Sequence, residues 1–127
     1  MKKIIATKAA PGAVGPYAQA VEAGGCVYVS GQLPIDPATG AFAAEDAAGQ
    51  AKQSLCNVRA ILSEAGCTME DVVSATVYLK DMEDFAAVNE VYASFFTEGG
   101  YPARCAVEVA RLPKDARVEI AVTAYKG

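Results

Sequence analysis

Residues 104–109 and 117–125 alternate large apolar side chains with small or charged ones, and that period of two commits both runs to strands whose faces meet different surroundings. In the first run Cys105, Val107 and Val109 share one face, and Arg104, Ala106 and Glu108 share the other. In the second, Val118, Ile120 and Val122 lie opposite Arg117, Glu119 and Ala121. Pro113-Lys114-Asp115 between them reads as a turn. If both aliphatic rows line one core, Arg104 and Glu119 project together from the opposite face. A guanidinium and a carboxylate set among alanines are then the chain's best candidates for chemistry, and Cys105 is expected to be a core thiol.

The rest of the chain supplies the partners such strands need. Residues 2–7 suggest a short first strand, and Pro11-Gly12 and Gly15-Pro16 mark a loop. Residues 17–22 and 26–30 form an expected hairpin across Ala23-Gly24-Gly25, and residues 36–40 make a turn. From Asp46 to Ala65, Ala48, Ala51, Leu55, Val58, Leu62 and Ala65 recur at three- and four-residue spacing and predict a helix, with Glu45 and Asp46 at its positive end and Gly66 as its stop. Val72 to Lys80 reads as a strand, with Val73, Ala75, Val77 and Leu79 alternating against Ser74, Thr76 and Tyr78. Asp81 and Asp84 offer caps for a second helix whose stripe is Phe85, Val88, Tyr92 and Phe95, closed by Gly99-Gly100.

The predicted order is strand, strand, strand, helix, strand, helix, strand, strand: one α+β domain over residues 1–127. Two helices cover one sheet face only. The other carries Ala106, Ala121, Thr76 and Tyr78, which are too small and too weakly polar for an ordinary wet surface, so a closed homo-oligomer is expected to cover it. That places Arg104 and Glu119 near a subunit boundary.

Charge and composition narrow the chemistry. Eleven Lys and Arg stand against fifteen Asp and Glu, a net charge of -4, and no basic run exceeds Lys2-Lys3. A surface that neutralises nucleic-acid phosphates is not expected. The N-terminal residues lack the apolar core of a secretory signal and no stretch approaches membrane-spanning length, so a cytoplasmic protein with no membrane partner is expected. There is no histidine, and the four cysteines, Cys26, Cys56, Cys67 and Cys105, are widely spaced. We expect small buried thiols, no metal site, and catalysis resting on carboxylate, guanidinium, phenol, thiol, hydroxyl or backbone groups.

Gly15-Pro16-Tyr17-Ala18-Gln19-Ala20, Val29-Ser30-Gly31-Gln32, Asn89, Pro102-Ala103-Arg104, Val109-Ala110-Arg111-Leu112-Pro113-Lys114 and Val118-Glu119-Ile120 occur in this order, and together they resemble the RidA (YjgF) family of imine deaminases from end to end. The resemblance implies a chorismate-mutase-like α+β fold, with a mixed six-stranded sheet and two helices on one face, assembled as a homotrimer with clefts between subunits. It implies hydrolysis of short 2-imino or enamino acids, such as 2-iminobutanoate and 2-iminopropanoate released by pyridoxal-phosphate enzymes, to 2-oxo acids and ammonia, with no cofactor. On the matching positions it makes Arg104 the substrate-binding arginine and Glu119 the group that positions water. Tyr17, Ser30, Gly31 and Asn89 fall at or beside the cleft. Some members carry cysteine two residues after the arginine; this chain has Ala106 there and places Cys105 one residue earlier.

Without the resemblance, an arginine and a glutamate on neighbouring strands read as a structural ion pair, Tyr17 as packing, Ser30 as a strand-end hydroxyl and Asn89 as a capping or surface amide. The competing function is a small-molecule-binding regulator in which Arg104 holds a 2-oxo or amino acid without turnover.

Overall fold

The computed structural model describes residues 1–127. Its strands are β1 (Lys3–Ile5), β2 (Ala20–Ala23), β3 (Cys26–Gln32), β4 (Val72–Leu79), β5 (Ala103–Glu108) and β6 (Val118–Tyr125); its helices are α1 (Ala47–Glu64) and α2 (Phe85–Ser94). The expected element order is the observed one. Three short 3-10 turns, at Met69–Asp71, Met82–Asp84 and Pro113–Asp115, lead into β4, α2 and β6.

The strands form one sheet in the order β1-β2-β3-β6-β4-β5, antiparallel except for the β4–β5 pair. Both β3 and β4 run antiparallel to β6, so they are parallel to each other. The β3-α1-β4 and β4-α2-β5 connections therefore join parallel strands while advancing the same way across the sheet. A right-handed crossover in each case puts both helices on the same face, and α1 packs there against α2 and β6.

Local chemistry explains the helix boundaries. The Asp46 side chain accepts a hydrogen bond from Gly49 N–H and caps α1, an interaction commonly worth about 1 kcal/mol. At the other end Gly66 adopts φ 82°, a conformation that favours glycine. Leu55, Val58, Ile61 and Leu62 of α1 are fully buried against Val27, Leu79, Val118 and Ile120 of the sheet. Each such side chain stabilises the fold by about 1.5–3 kcal/mol relative to exposure.

Strand register corrects the expected faces. Cross-strand rows Val122–Ala75–Arg104 and Ile120–Val77–Ala106 lie on the helix side, whereas Ala121–Thr76–Cys105 and Glu119–Tyr78–Val107 lie on the side without helices. Arg104 and Glu119 thus project from opposite faces. They are not on neighbouring strands either, because β4 lies between β5 and β6. Ala106 packs against the core, and Cys105, expected to be a core thiol, is exposed on the helix-free face. The expectation of buried thiols holds for Cys67 alone; Cys26 and Cys56 are half-buried. A register shift between Val72 and Ser74 turns Val72 inward and leaves Val73 exposed, where simple alternation had put Val73 inside.

The helix-free face carries Thr123, Ser74, Ala121, Thr76, Cys105, Tyr78 and Val107, with Glu119 as the only charge in these rows. No helix of the chain is long and apolar enough to cross a membrane.

Candidate functional site

The six candidate residues fall into two clusters. The first is built by α2 and β5. Phe85, Asn89 and Tyr92 stand at i, i+4 and i+7, which puts them on one stripe of α2. Arg104, near the start of the edge strand β5, points up at that stripe. Its Nη1 donates a 2.5 Å hydrogen bond to Asn89 Oδ1, and its guanidinium carbon lies 4.8 Å from the Tyr92 ring centroid and 5.4 Å from that of Phe85. Nε and Nη2 make no hydrogen bond within the chain, so one edge of the guanidinium fork stays free for an anion. A cleft of about 420 Å³ opens here, lined by Asn89, Tyr92, Ala93, Tyr101, Pro102 and Arg104.

The second cluster is built by β3, β6 and the loop before β2. Between Val29 and Gln32 the β3–β6 pairing slips, so that Ser30 and Gly31 together face a single residue of β6. That bulge carries Gly31 against the Glu119 side chain. A Cβ at Gly31 would fall on the Glu119 carboxylate, so the absence of a side chain there is what lets the carboxylate lie this close to the bulge. The Glu119 carboxylate is half-buried and makes no hydrogen bond or ion pair within the chain. Burial therefore pushes its pKa above the ordinary carboxylate value, since nothing offsets the lost hydration of the anion. Around it lies a cleft of about 470 Å³ whose lining includes Tyr17, Gly31, Gln32, Pro113, Lys114 and Glu119.

Tyr17 reaches this cleft on a strap that is hydrogen-bonded into place. The Ser30 hydroxyl donates to the Ala18 carbonyl at 2.7 Å, and Ser30 N–H donates to Gln19 O at 2.9 Å. The buried Gln19 amide donates to Thr7 O and Pro11 O and accepts from Thr7 N–H, fixing the preceding loop. Ser30 is thus occupied in holding the strap, and only the lone pairs of its hydroxyl remain free for another partner. Gln19 was not singled out from the sequence, where a polar residue between alanines carried no signal beyond its place in the motif. Phe85 and Tyr92 lie on the core stripe of α2, as their spacing predicts, and their contact with Arg104 depends on where β5 docks.

Within one chain, then, the structure groups Arg104 with Asn89, and Glu119 with Tyr17, Gly31 and the strap that Ser30 holds. It does not bring the groups together. Their backbones lie two strands apart, about 10 Å across the sheet, and their side chains leave opposite faces. The ordinary ion pair is absent. A larger groove of about 760 Å³ runs along β1 and includes Tyr17 but none of Arg104, Asn89, Gly31 or Glu119.

Comparison with known proteins adds an independent line. The profile of the family described as Endoribonuclease L-PSP matches residues 7–126. A Salmonella typhimurium protein named 2-iminobutanoate/2-iminopropanoate deaminase is 54% identical over 128 residues, covering 99% of each chain. Among solved structures, the Escherichia coli YjgF gene product superposes with a TM-score of 0.93 at 50% identity, covering 98% of this chain and 99% of that one. Escherichia coli TdcF, whose structure holds bound serine, superposes with the same TM-score at 47% identity and the same coverage.

Proposed function

The chain belongs to the RidA (YjgF), or Endoribonuclease L-PSP, family, and from that premise we propose that it is a 2-iminobutanoate/2-iminopropanoate deaminase working as a homotrimer. Its substrates are short 2-imino and enamino acids and its products are 2-oxo acids and ammonia. The observation that carries this reading is the unpaired Glu119 carboxylate, seated on the Gly31 bulge and open to a cleft. A helix-free sheet face poor in charge supports a second copy covering it, and the distance between the two clusters supports a shared site. Arg104 and Asn89 of one subunit then face Tyr17, Gly31 and Glu119 of its neighbour.

The chemistry follows from the groups. The free edge of Arg104 grips the substrate carboxylate through two parallel charge-assisted hydrogen bonds, which fixes orientation as well as charge. Glu119, with its affinity for a proton raised by burial, holds a water and accepts its proton as the oxygen attacks the imine carbon. Glu119 hands that proton to the nitrogen, giving the carbinolamine. It then takes the proton of the new hydroxyl and passes it to the amine as the C–N bond breaks and the C=O bond forms. Water and imine are consumed, ammonia and the 2-oxo acid are released, and the carboxylate is regenerated. Tyr17 closes the pocket and offers a hydrogen bond. The imine is labile in water, so positioning plus one acid–base group, typically worth ~10²–10⁴-fold, suffices.

A net charge of -4 favours a small anionic substrate held by one arginine over the RNA that the family description names. Such imines arise where pyridoxal-phosphate enzymes act on amino acids, which fits a cytoplasmic protein. The test is the decay of 2-iminobutanoate generated by a threonine dehydratase. Wild type is expected to accelerate it and Arg104→Ala to return it nearly to the buffer rate; a wild-type rate equal to buffer overturns the reading, and retained binding of 2-oxobutanoate would then identify a regulator.

A further inference from the structure

We infer that Tyr92 is a positioning residue for the substrate-binding arginine: its ring is the platform that sets the Arg104 guanidinium plane, so that the edge left free by Asn89 faces the incoming carboxylate. This rests on the deaminase reading for the substrate and on the geometry of α2 for the role.

Three observations carry it. The first is the contact, with the guanidinium carbon 4.8 Å from the Tyr92 ring centroid, inside the range in which the ring's negative face attracts a cation. The second is rigidity. Tyr92 is only 3% exposed and packs against Phe96 with ring centroids 4.8 Å apart, so the platform cannot swing away with the mobile end of the arginine. Arg104 by contrast is an exposed residue on an edge strand, where a long side chain left to itself samples many rotamers. The third is the hydroxyl. Tyr92 Oη is buried with no hydrogen-bond partner, so the hydroxyl does not tie the ring to another polar group and the ring alone meets the guanidinium.

Asn89 and Tyr92 then divide the work. Asn89 holds one Nη in the guanidinium plane and Tyr92 fixes the plane itself. Two constraints from one helix leave the fork pointing one way, which lowers the ordering that substrate binding would otherwise have to impose.

The role predicts a split that simple core packing does not. Tyr92→Leu is expected to raise KM for the 2-imino acid roughly 3- to 30-fold while kcat stays within about twofold, because a cation–π contact of ordinary strength is lost from binding and Glu119 is untouched. Tyr92→Phe keeps the platform and is expected to retain the wild-type KM. Phe85→Leu, at the less buried end of the stripe, removes the more distant ring and gives a smaller rise in KM; it also serves if Tyr92→Leu does not fold. Binding of 2-oxobutanoate measured by calorimetry should follow the same order, and this arm is independent of turnover. Wild-type KM and 2-oxobutanoate affinity in a folded Tyr92→Leu, or a Tyr92→Phe as impaired as Tyr92→Leu, overturns the inference. Activity at the buffer rate in wild type overturns the deaminase reading instead, leaving the calorimetric order to decide the role of Tyr92.

Discussion

The two clusters hold their charges by opposite means. Arg104 is fixed by contact, with an amide oxygen at one nitrogen and two aromatic rings beside its carbon. Glu119 is fixed by exclusion. No donor within the chain reaches it, and its position comes from a rigid central strand, a glycine that leaves room, and a strap that walls the cleft. The difference suits the two tasks proposed for them. A cation that must bind a carboxylate in one orientation benefits from being oriented beforehand, whereas a carboxylate that must take up and return a proton loses basicity with every hydrogen bond made to its anion.

The largest effect should come from removing either charge. Glu119→Gln keeps the shape of the Gly31 pocket but cannot accept a proton, and its kcat is expected to fall about 10²–10⁴-fold. Because each cleft of the proposed trimer draws its arginine and glutamate from different subunits, co-refolding equal amounts of Arg104→Ala and Glu119→Gln chains should restore about a quarter of the clefts, and with them about a quarter of wild-type activity. Activity that stays at the level of the parent variants would show that both charges act from one chain.

A smaller loss is expected at the bulge. Gly31→Ala puts a methyl group where the Glu119 carboxylate lies, so the carboxylate must swing aside. We expect kcat to drop about 10- to 100-fold, as a misplaced catalytic group implies, with little change in the affinity for 2-oxobutanoate, which on our proposal depends on Arg104. An equal loss of product affinity would merge the two clusters that the structure separates.

The pH dependence is the mildest probe. Burial raises the pKa of Glu119, so kcat should fall as pH drops through a value above that of an exposed glutamate, and Glu119→Gln should lack this limb. Stability moves the other way. The native state favours the protonated carboxyl, so this contribution is fully present below the unfolded pKa of about 4.3 and is lost as pH rises through the raised native value. Glu119→Gln should therefore unfold at a higher denaturant concentration than wild type at neutral pH, with the advantage shrinking at low pH. An unchanged difference across that range would mean that the carboxylate finds a donor in the assembled protein.

Much of the fold was legible because the signals were strong and local. Asp46 as cap, Gly66 as stop and the spaced Leu55, Val58 and Leu62 fixed α1 to within a residue of its observed bounds. Tyr17 and Gly31 stood out only through the family motifs, and Glu119 through its strand row as well; the structure puts all three in one cleft. Less legible was β5, because its two rows are almost equally plausible as inner faces. Cys105 and Val107 outweigh Arg104 and Ala106 in hydrophobicity, so alternation alone points the wrong row inward.

The sequence by itself determined the element order, the acid and base inventory of a chain without histidine, and the motifs that carry its family likeness. These are properties of local chemistry and spacing. Only the tertiary structure decided which face each row takes. Periodicity of two separates a strand into rows but does not label them, and here both faces of the sheet are weakly polar, one because helices cover it and the other, on our proposal, because a second copy does. The register of β5 on β4 and of β4 on β6 is what sends Arg104 to the helix side with Ala75 and Val122 and leaves Glu119 on the other with Tyr78.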